Sequence, residues 1–112
     1  MAVLRLRGRR DFSRTFSSGR SYRNRLVVVI VMEAPGEATR VGYASARMVG
    51  TAVKRNRIRR RLRAVLAEVQ QRVRPGRRVV VLGKAGVLEA PWGELRQAVV
   101  SLLDKASCLD AG

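Results

Sequence analysis

The sequence predicts an α+β fold, a small single-domain sandwich of helices packed on a sheet in the order α-β-β-α-β-α. Three observations carry this reading. The run Leu26 to Met32, LVVVIVM, is too β-branched to favour helix, and VVVLG at 79–83 repeats the pattern. Between them, residues 50–76 place apolar side chains at helical spacing between Gly50-Thr51 and Pro75-Gly76. A chain of 112 residues holds one core and is too short for two. We expect one domain over 1–112, with its core at about 4–104.

Residues 9–18, RRDFSRTFSS, read as a short helix with Phe12 and Phe16 on one face and Gly19 as its stop. Residues 21–33 read as one long strand, and Glu33 to Glu37, EAPGE, as a turn. A second strand is expected near 40–46, RVGYASA, forming a hairpin with the first. Thr51 is a natural N-cap for the central helix, and Pro75-Gly76 closes it after about 23 residues, roughly 34 Å. Arg77-Arg78 leads into the strand at 79–83. Pro91-Trp92 starts a last helix through about Leu103, burying Leu95, Val99, Leu102 and Leu103. The tail beyond Lys105 is expected to fray.

Charge points to the partner. Twenty-four Lys and Arg face eight Asp and Glu, for a formal charge of +16, which attracts polyanions. All but Lys54, Lys84 and Lys105 of those cations are arginine, whose planar fork suits phosphate and stacks on bases. With 46% apolar residues the chain is a folded domain and not a disordered basic tail. Cys108 is the single cysteine and histidine is absent, so an internal disulfide, a zinc finger and histidine-based acid–base catalysis are excluded. The longest apolar run, Leu26 to Met32, is too short to span a bilayer. The first 25 residues have the Arg/Ser-rich, acid-poor composition of an organellar transit peptide. Asp11 and the Phe12/Phe16 pair argue instead for part of a mature, cytoplasmic protein.

Residues 54–63, KRNRIRRRLR, hold seven cations in ten positions. On a helix Ile58, Leu62, Val65, Leu66, Val69 and Val73 share one apolar sector. Asn56, Arg60 and Arg63 project from the opposite side, with Arg57 and Arg59 on its flanks. A merely solvated face would mix charge signs, yet no acid lies between Thr39 and Glu68. Lys54, Arg55 and Arg57 also load the helix start, where the macrodipole is already positive, at roughly 0.3–1 kcal/mol each. Both features suit a helix that grips phosphate.

The block RVGYASARMVGTAVKRNRIRRRLR at 40–63 carries an Arg55-Asn56-Arg57 signature, preceded by DFSRTFSSGRS at 11–21 and by Asn24-Arg25. Together these segments resemble the bacterial ribonuclease P protein component over about Leu4 to Leu103. The resemblance implies an unusual left-handed β-α-β crossover, in which the basic helix joins two parallel neighbours of the sheet; such connections are otherwise almost always right-handed. It also implies a protein subunit of ribonuclease P that binds a catalytic RNA. The pair would remove the 5′ leader of precursor tRNA, with hydrolysis performed by the RNA and its Mg²⁺ ions. The protein would supply affinity, substrate discrimination and a lower salt demand. The resemblance assigns Arg55, Asn56, Arg57, Arg59, Arg60 and Arg63 to the catalytic RNA. It assigns Phe12 and Phe16 to a cleft, between the first helix and the sheet, that holds the single-stranded leader. Core packing is the competing role for both rings.

Two positions depart from the family pattern. Ile30 stands where many members carry an aromatic in that leader site, and Ala46-Arg47-Met48 replaces Ser-Lys-Lys. Arg47, with Arg20 and Arg23, is expected to compensate. The acids Asp11, Glu33, Glu37, Glu68, Glu89, Glu94, Asp104 and Asp110 show no pairing in sequence suited to two-metal catalysis. No catalytic or metal-binding residue is therefore expected in the protein itself. A structural RNA-binding protein, such as a small ribosomal protein, would share the charge and size but not the 40–63 block. A zipper-type DNA-binding helix fails because no heptad seam follows Arg63.

Overall fold

A computed structural model describes residues 3–110. Its elements are β1 (Leu4–Arg5), α1 (Gly8–Ser18), β2 (Arg20–Arg23), β3 (Val27–Glu33), β4 (Arg40–Ser45), α2 (Ala52–Val69), β5 (Arg77–Gly83) and α3 (Trp92–Lys105), with 3₁₀ turns at Gln70–Arg72 and Ala85–Leu88. The strands form one sheet in the order β1-β4-β5-β3-β2. The α+β class and the sandwich architecture hold, with two short strands added to the expected order.

The segment expected as one strand over 21–33 is a hairpin, β2 against β3. Asn24 breaks it: its side-chain oxygen accepts from the N–H groups of Leu26 (3.1 Å) and Val27 (3.0 Å), and its side-chain amide donates to Ala98 O at 2.9 Å. An Asn that bonds its own chain a few residues on makes a turn in place of extended backbone.

The expected hairpin of β3 with β4 does not form. β5 lies between them, antiparallel to β3 and parallel to β4. Val79, Val80 and Val81 are buried on both faces of β5, the property of a central strand. The β3–β4 loop is tied instead to the turn that enters β5, through Ala34 N–H to Gly76 O and Gly76 N–H to Glu37 O, both 2.8 Å. α2 thus connects two parallel neighbours, β4 and β5.

α2 is shorter than expected, 18 residues followed by the 3₁₀ turn ahead of Pro75. The tail does not fray through Asp110. Cys108 and Leu109 are buried, Leu109 bridges Val73, and Arg74 N–H donates to Cys108 O at 2.8 Å. Cys and Leu are apolar enough to dock beside the end of α2.

Strand alternation sends Val27, Val29, Val41, Val79 and Val81 to one face, where α2 contributes Ile58, Leu62, Val65, Leu66 and Val69. Leu95, Val99, Leu102 and Leu103 of α3 complete this core. Gly83 lets α2 come close, since a Cβ there would collide with Ile58. The opposite face holds a smaller cluster of Leu6, Val28, Ile30 and Val80 beneath α1, with Phe12 and Leu82 against it. One short helix covers only part of a five-stranded sheet, and the uncovered part is a cleft.

Candidate nucleic-acid interface

The hydroxyl of Thr51 accepts from Lys54 N–H at 3.2 Å and starts α2 as expected. Burying the apolar stripe then fixes the rotation of the helix. Lys54, Asn56, Arg57, Arg60 and Arg63 are exposed, and Arg55 and Arg59 are half-buried. None of the cations from Lys54 to Arg63 belongs to an ion pair among the described residues. The face is therefore an uncompensated positive surface, strongest at the helix start.

Three of these arginines also have contacts within the protein. Arg55 donates to Val49 O at 3.1 Å, which holds the loop leading into α2. Arg61 donates to Val87 O and, at 2.8 Å, to Ala90 O, tying α2 to the turn before α3. The guanidinium of Arg63 stands over the ring of Tyr43, 5.4 Å from its centroid. Burial pushes the Tyr43 phenol up to about 12, against the opposing pull of Arg63 and Arg5. Sequence reasoning missed the internal contacts of Arg55 and Arg61. The signal was available for Arg55, which at roughly 100° per residue falls within the apolar sector.

A second surface lies between α1 and the sheet. This cleft, about 490 Å³, is lined by Phe12, Ser13, Phe16, Ala44, Ser45, Arg47 and Leu82. The two phenylalanines differ in burial. Phe12 packs half-buried on the smaller core, and Phe16 is 48% exposed; their rings are 6.3 Å apart and nearly parallel. Arg47, exposed, also lines the cleft. Ile30 does not line it: at 3% exposure it lies under α1, against Gly19, and Leu82 and Ala44 contribute the sheet surface instead. Directly paired strand residues share a face. Arg23, paired with Val28, therefore lies on the cleft side, whereas Arg20, paired with Val31, belongs to the α2/α3 side. Arg20 is thus removed from the set expected to compensate there.

Asp11 and Arg78 hold α1 in place. Asp11 accepts from Arg7 N–H at 3.1 Å and from Arg78 Nε at 3.2 Å, and Arg78 also donates to Glu37 at 3.1 Å. Glu68 pairs with Arg96, Glu94 with Arg25 and Asp110 with Arg74. With these acids engaged singly by arginines, no group of three or more His, Cys, Asp or Glu gathers among the described residues. No helix among the described residues is long and apolar enough to cross a membrane.

Comparison with known proteins agrees with this architecture. The sequence model of the family described as Ribonuclease P matches residues 2–107. The ribonuclease P protein component of Symbiobacterium thermophilum is 42% identical over 106 residues, covering 94% of this chain and 92% of that protein. That of Herpetosiphon aurantiacus is 38% identical over 102 residues, covering 91% and 83%. The solved structure of the RNase P protein from Thermotoga maritima superposes with a TM-score of 0.79 at 27% identity, covering 90% of this chain and 96% of that one. The Staphylococcus aureus RNase P protein, at 21% identity, shares the fold with a TM-score of 0.81 over 96% of this chain and 99% of its own.

Proposed function

This chain belongs to the ribonuclease P protein family, and from that premise we propose that its two surfaces serve two RNAs. As a ribonuclease P subunit it is a component of an endoribonuclease that processes tRNA, and its partner is the ribonuclease P RNA. The α2 face binds that RNA through Asn56, Arg57, Arg60 and Arg63, with Arg55 and Arg59 at its edge. The α1 cleft holds the single-stranded 5′ leader of precursor tRNA. There Phe16 offers a base a stacking surface worth roughly 1–3 kcal/mol, and Arg47 and Arg23 offer charge to its phosphates.

The observation that carries this reading is the uncompensated cation face of a helix whose other side is locked in the core. Phosphate contacts there release counterions and add affinity without reading sequence. Hydrolysis belongs to the RNA partner, which would hold the Mg²⁺ that activates the attacking water. Five of the protein's eight acids pair with arginines, and its contribution in this reading is position and charge. Leader and catalytic RNA would be held on one rigid domain.

The test is cleavage of a precursor tRNA. Purified protein alone is expected to leave it intact, and protein with its cognate RNA and Mg²⁺ to release the 5′ leader. Robust cleavage by RNA-free protein of verified purity would overturn the assignment of chemistry to the RNA.

A further inference from the structure

Trp92 is the only tryptophan of the chain, and it opens α3 as a residue 37% exposed. It lines a groove of about 350 Å³ together with Arg57, Arg60, Arg61 and Ala64. Those four positions follow the i, i+3, i+4, i+7 spacing of one ridge along α2. Ala64, short among arginines, leaves open space beside the indole. The groove is rigid because Arg61 bonds the carbonyls of Val87 and Ala90, clamping the turn that carries Trp92 onto α2. Arg57 and Arg60 are exposed and lie outside every ion pair among the described residues. Of the nearby acids, Glu94 is engaged by Arg25 and Glu68 by Arg96, and Glu89 in the connecting loop does not line the groove.

We propose that this groove is a base-stacking site, in which one unstacked RNA base lies on the indole of Trp92 and its flanking phosphates sit on Arg57 and Arg60. A flat aromatic sharing a groove with two exposed guanidinium groups outside any ion pair suits a nucleotide, since every base has a π-face and carries phosphate on both sides. Double-stranded RNA fits poorly, because its bases are stacked on one another. The proposal rests on the reading that α2 faces RNA, and it adds that the RNA there is locally unpaired.

Because Trp92 is the sole indole, its emission reports this site alone. With the cognate ribonuclease P RNA, the wild-type protein is expected to lose Trp92 emission and acrylamide accessibility in step with binding measured by filter retention. A short oligoadenylate at low salt is expected to quench it, and an abasic strand of equal length to leave it nearly unchanged. Trp92→Ala should weaken binding of the cognate RNA about tenfold and Trp92→Phe much less. Unchanged emission and accessibility at saturating RNA would overturn the stacking site, as would equal quenching by the abasic strand. If binding persists and Arg60→Ala still weakens it, the α2 reading survives that failure. If the RNA does not bind at all, both fall. The wild-type emission decides even if Trp92→Ala folds poorly.

Discussion

The guanidinium of Arg63 stands 5.4 Å from the centroid of the Tyr43 ring, so one residue of the basic face also fastens α2 to β4. Arg60, about one turn earlier on the same exposed arc, has no such partner. Two arginines that look equivalent on a helical wheel therefore differ in what their loss removes.

Arg60→Ala is expected to leave the melting temperature unchanged, to weaken RNA binding by roughly 1.5–3 kcal/mol and to lower the salt slope by about 1. Arg63→Ala should show a similar loss of binding together with a stability cost of about 0.5–1 kcal/mol. It should also raise the Tyr43 pKa further, since the Arg63 charge holds it down. Thermal melts and salt-dependent filter binding separate the two. Identical melting behaviour for both variants would show that the ring contact carries no stability.

Arg78→Met should divide the two RNA functions. Arg78 links Asp11 of α1 to Glu37 of the β3–β4 loop, and the Arg78 and Asp11 side chains are only 16% and 17% exposed. Losing it leaves Asp11 half-buried with only the Arg7 N–H and no ion-pair partner, at a cost of about 2 kcal/mol. The strain falls on α1 and so on the Phe12/Phe16 cleft, on the opposite face of the sheet from α2. Affinity for precursor tRNA with a leader should fall, while affinity for the ribonuclease P RNA stays. Equal losses for both ligands would contradict the separation.

Local patterns were legible from the residues themselves; among the long-range pairings only the parallel pair joined by α2 was expected, and that from the family resemblance. The α2 stripe, the Thr51 cap and the Leu95/Val99/Leu102/Leu103 stripe follow from 3.6-residue periodicity, and the structure buries each stripe residue as expected. The place of β5 between β3 and β4 depends on pairing between strands far apart in the chain, which no local period encodes. The β2–β3 reversal was missed because Asn24 sits in a segment of otherwise strand-like composition. At the site, the α2 face could be read because charge and period coincide. Ile30 could not be placed, since a β-branched residue on a central strand looks the same from either face. Arg61 and Arg78 read as two more cations in a chain with many; only their neighbours make them structural.

Leu62→Ala tests the helix rotation directly. Leu62 is fully buried, and the deletion is expected to cost roughly 2–5 kcal/mol in denaturant unfolding. Asn56→Ala, on the exposed side, should change stability by no more than about 0.5 kcal/mol. Reversal of that order would mean that α2 is rotated from the orientation described.

The docked tail makes stability depend on pH in the alkaline range. Burial pushes the Cys108 thiol from 9.0 up to about 11; Arg77 and Arg74 oppose this and Glu33 adds to it. Burial likewise moves the Tyr43 phenol from 10.0 to about 12. Both groups are neutral acids with raised pKa values in the folded state. Below pH 9 they are protonated whether the chain is folded or not, and they add no slope. Above it the unfolded chain releases protons first, so stability falls with rising pH until the folded groups ionise in turn. The loss attributable to Cys108 should run from pH 9 to about 11, on the order of 2 kcal/mol, and that for Tyr43 from pH 10 to about 12. A variant isolates the Cys108 contribution. Cys108→Ala lowers stability at every pH by leaving a small void, but it should remove the first part of the decline, so that the curve breaks near pH 10 and not near pH 9. Urea unfolding between pH 8 and pH 11 on the two proteins measures it. Parallel curves would show that the Cys108 thiol is not desolvated by the tail as the buried Cys108–Leu109 contact requires.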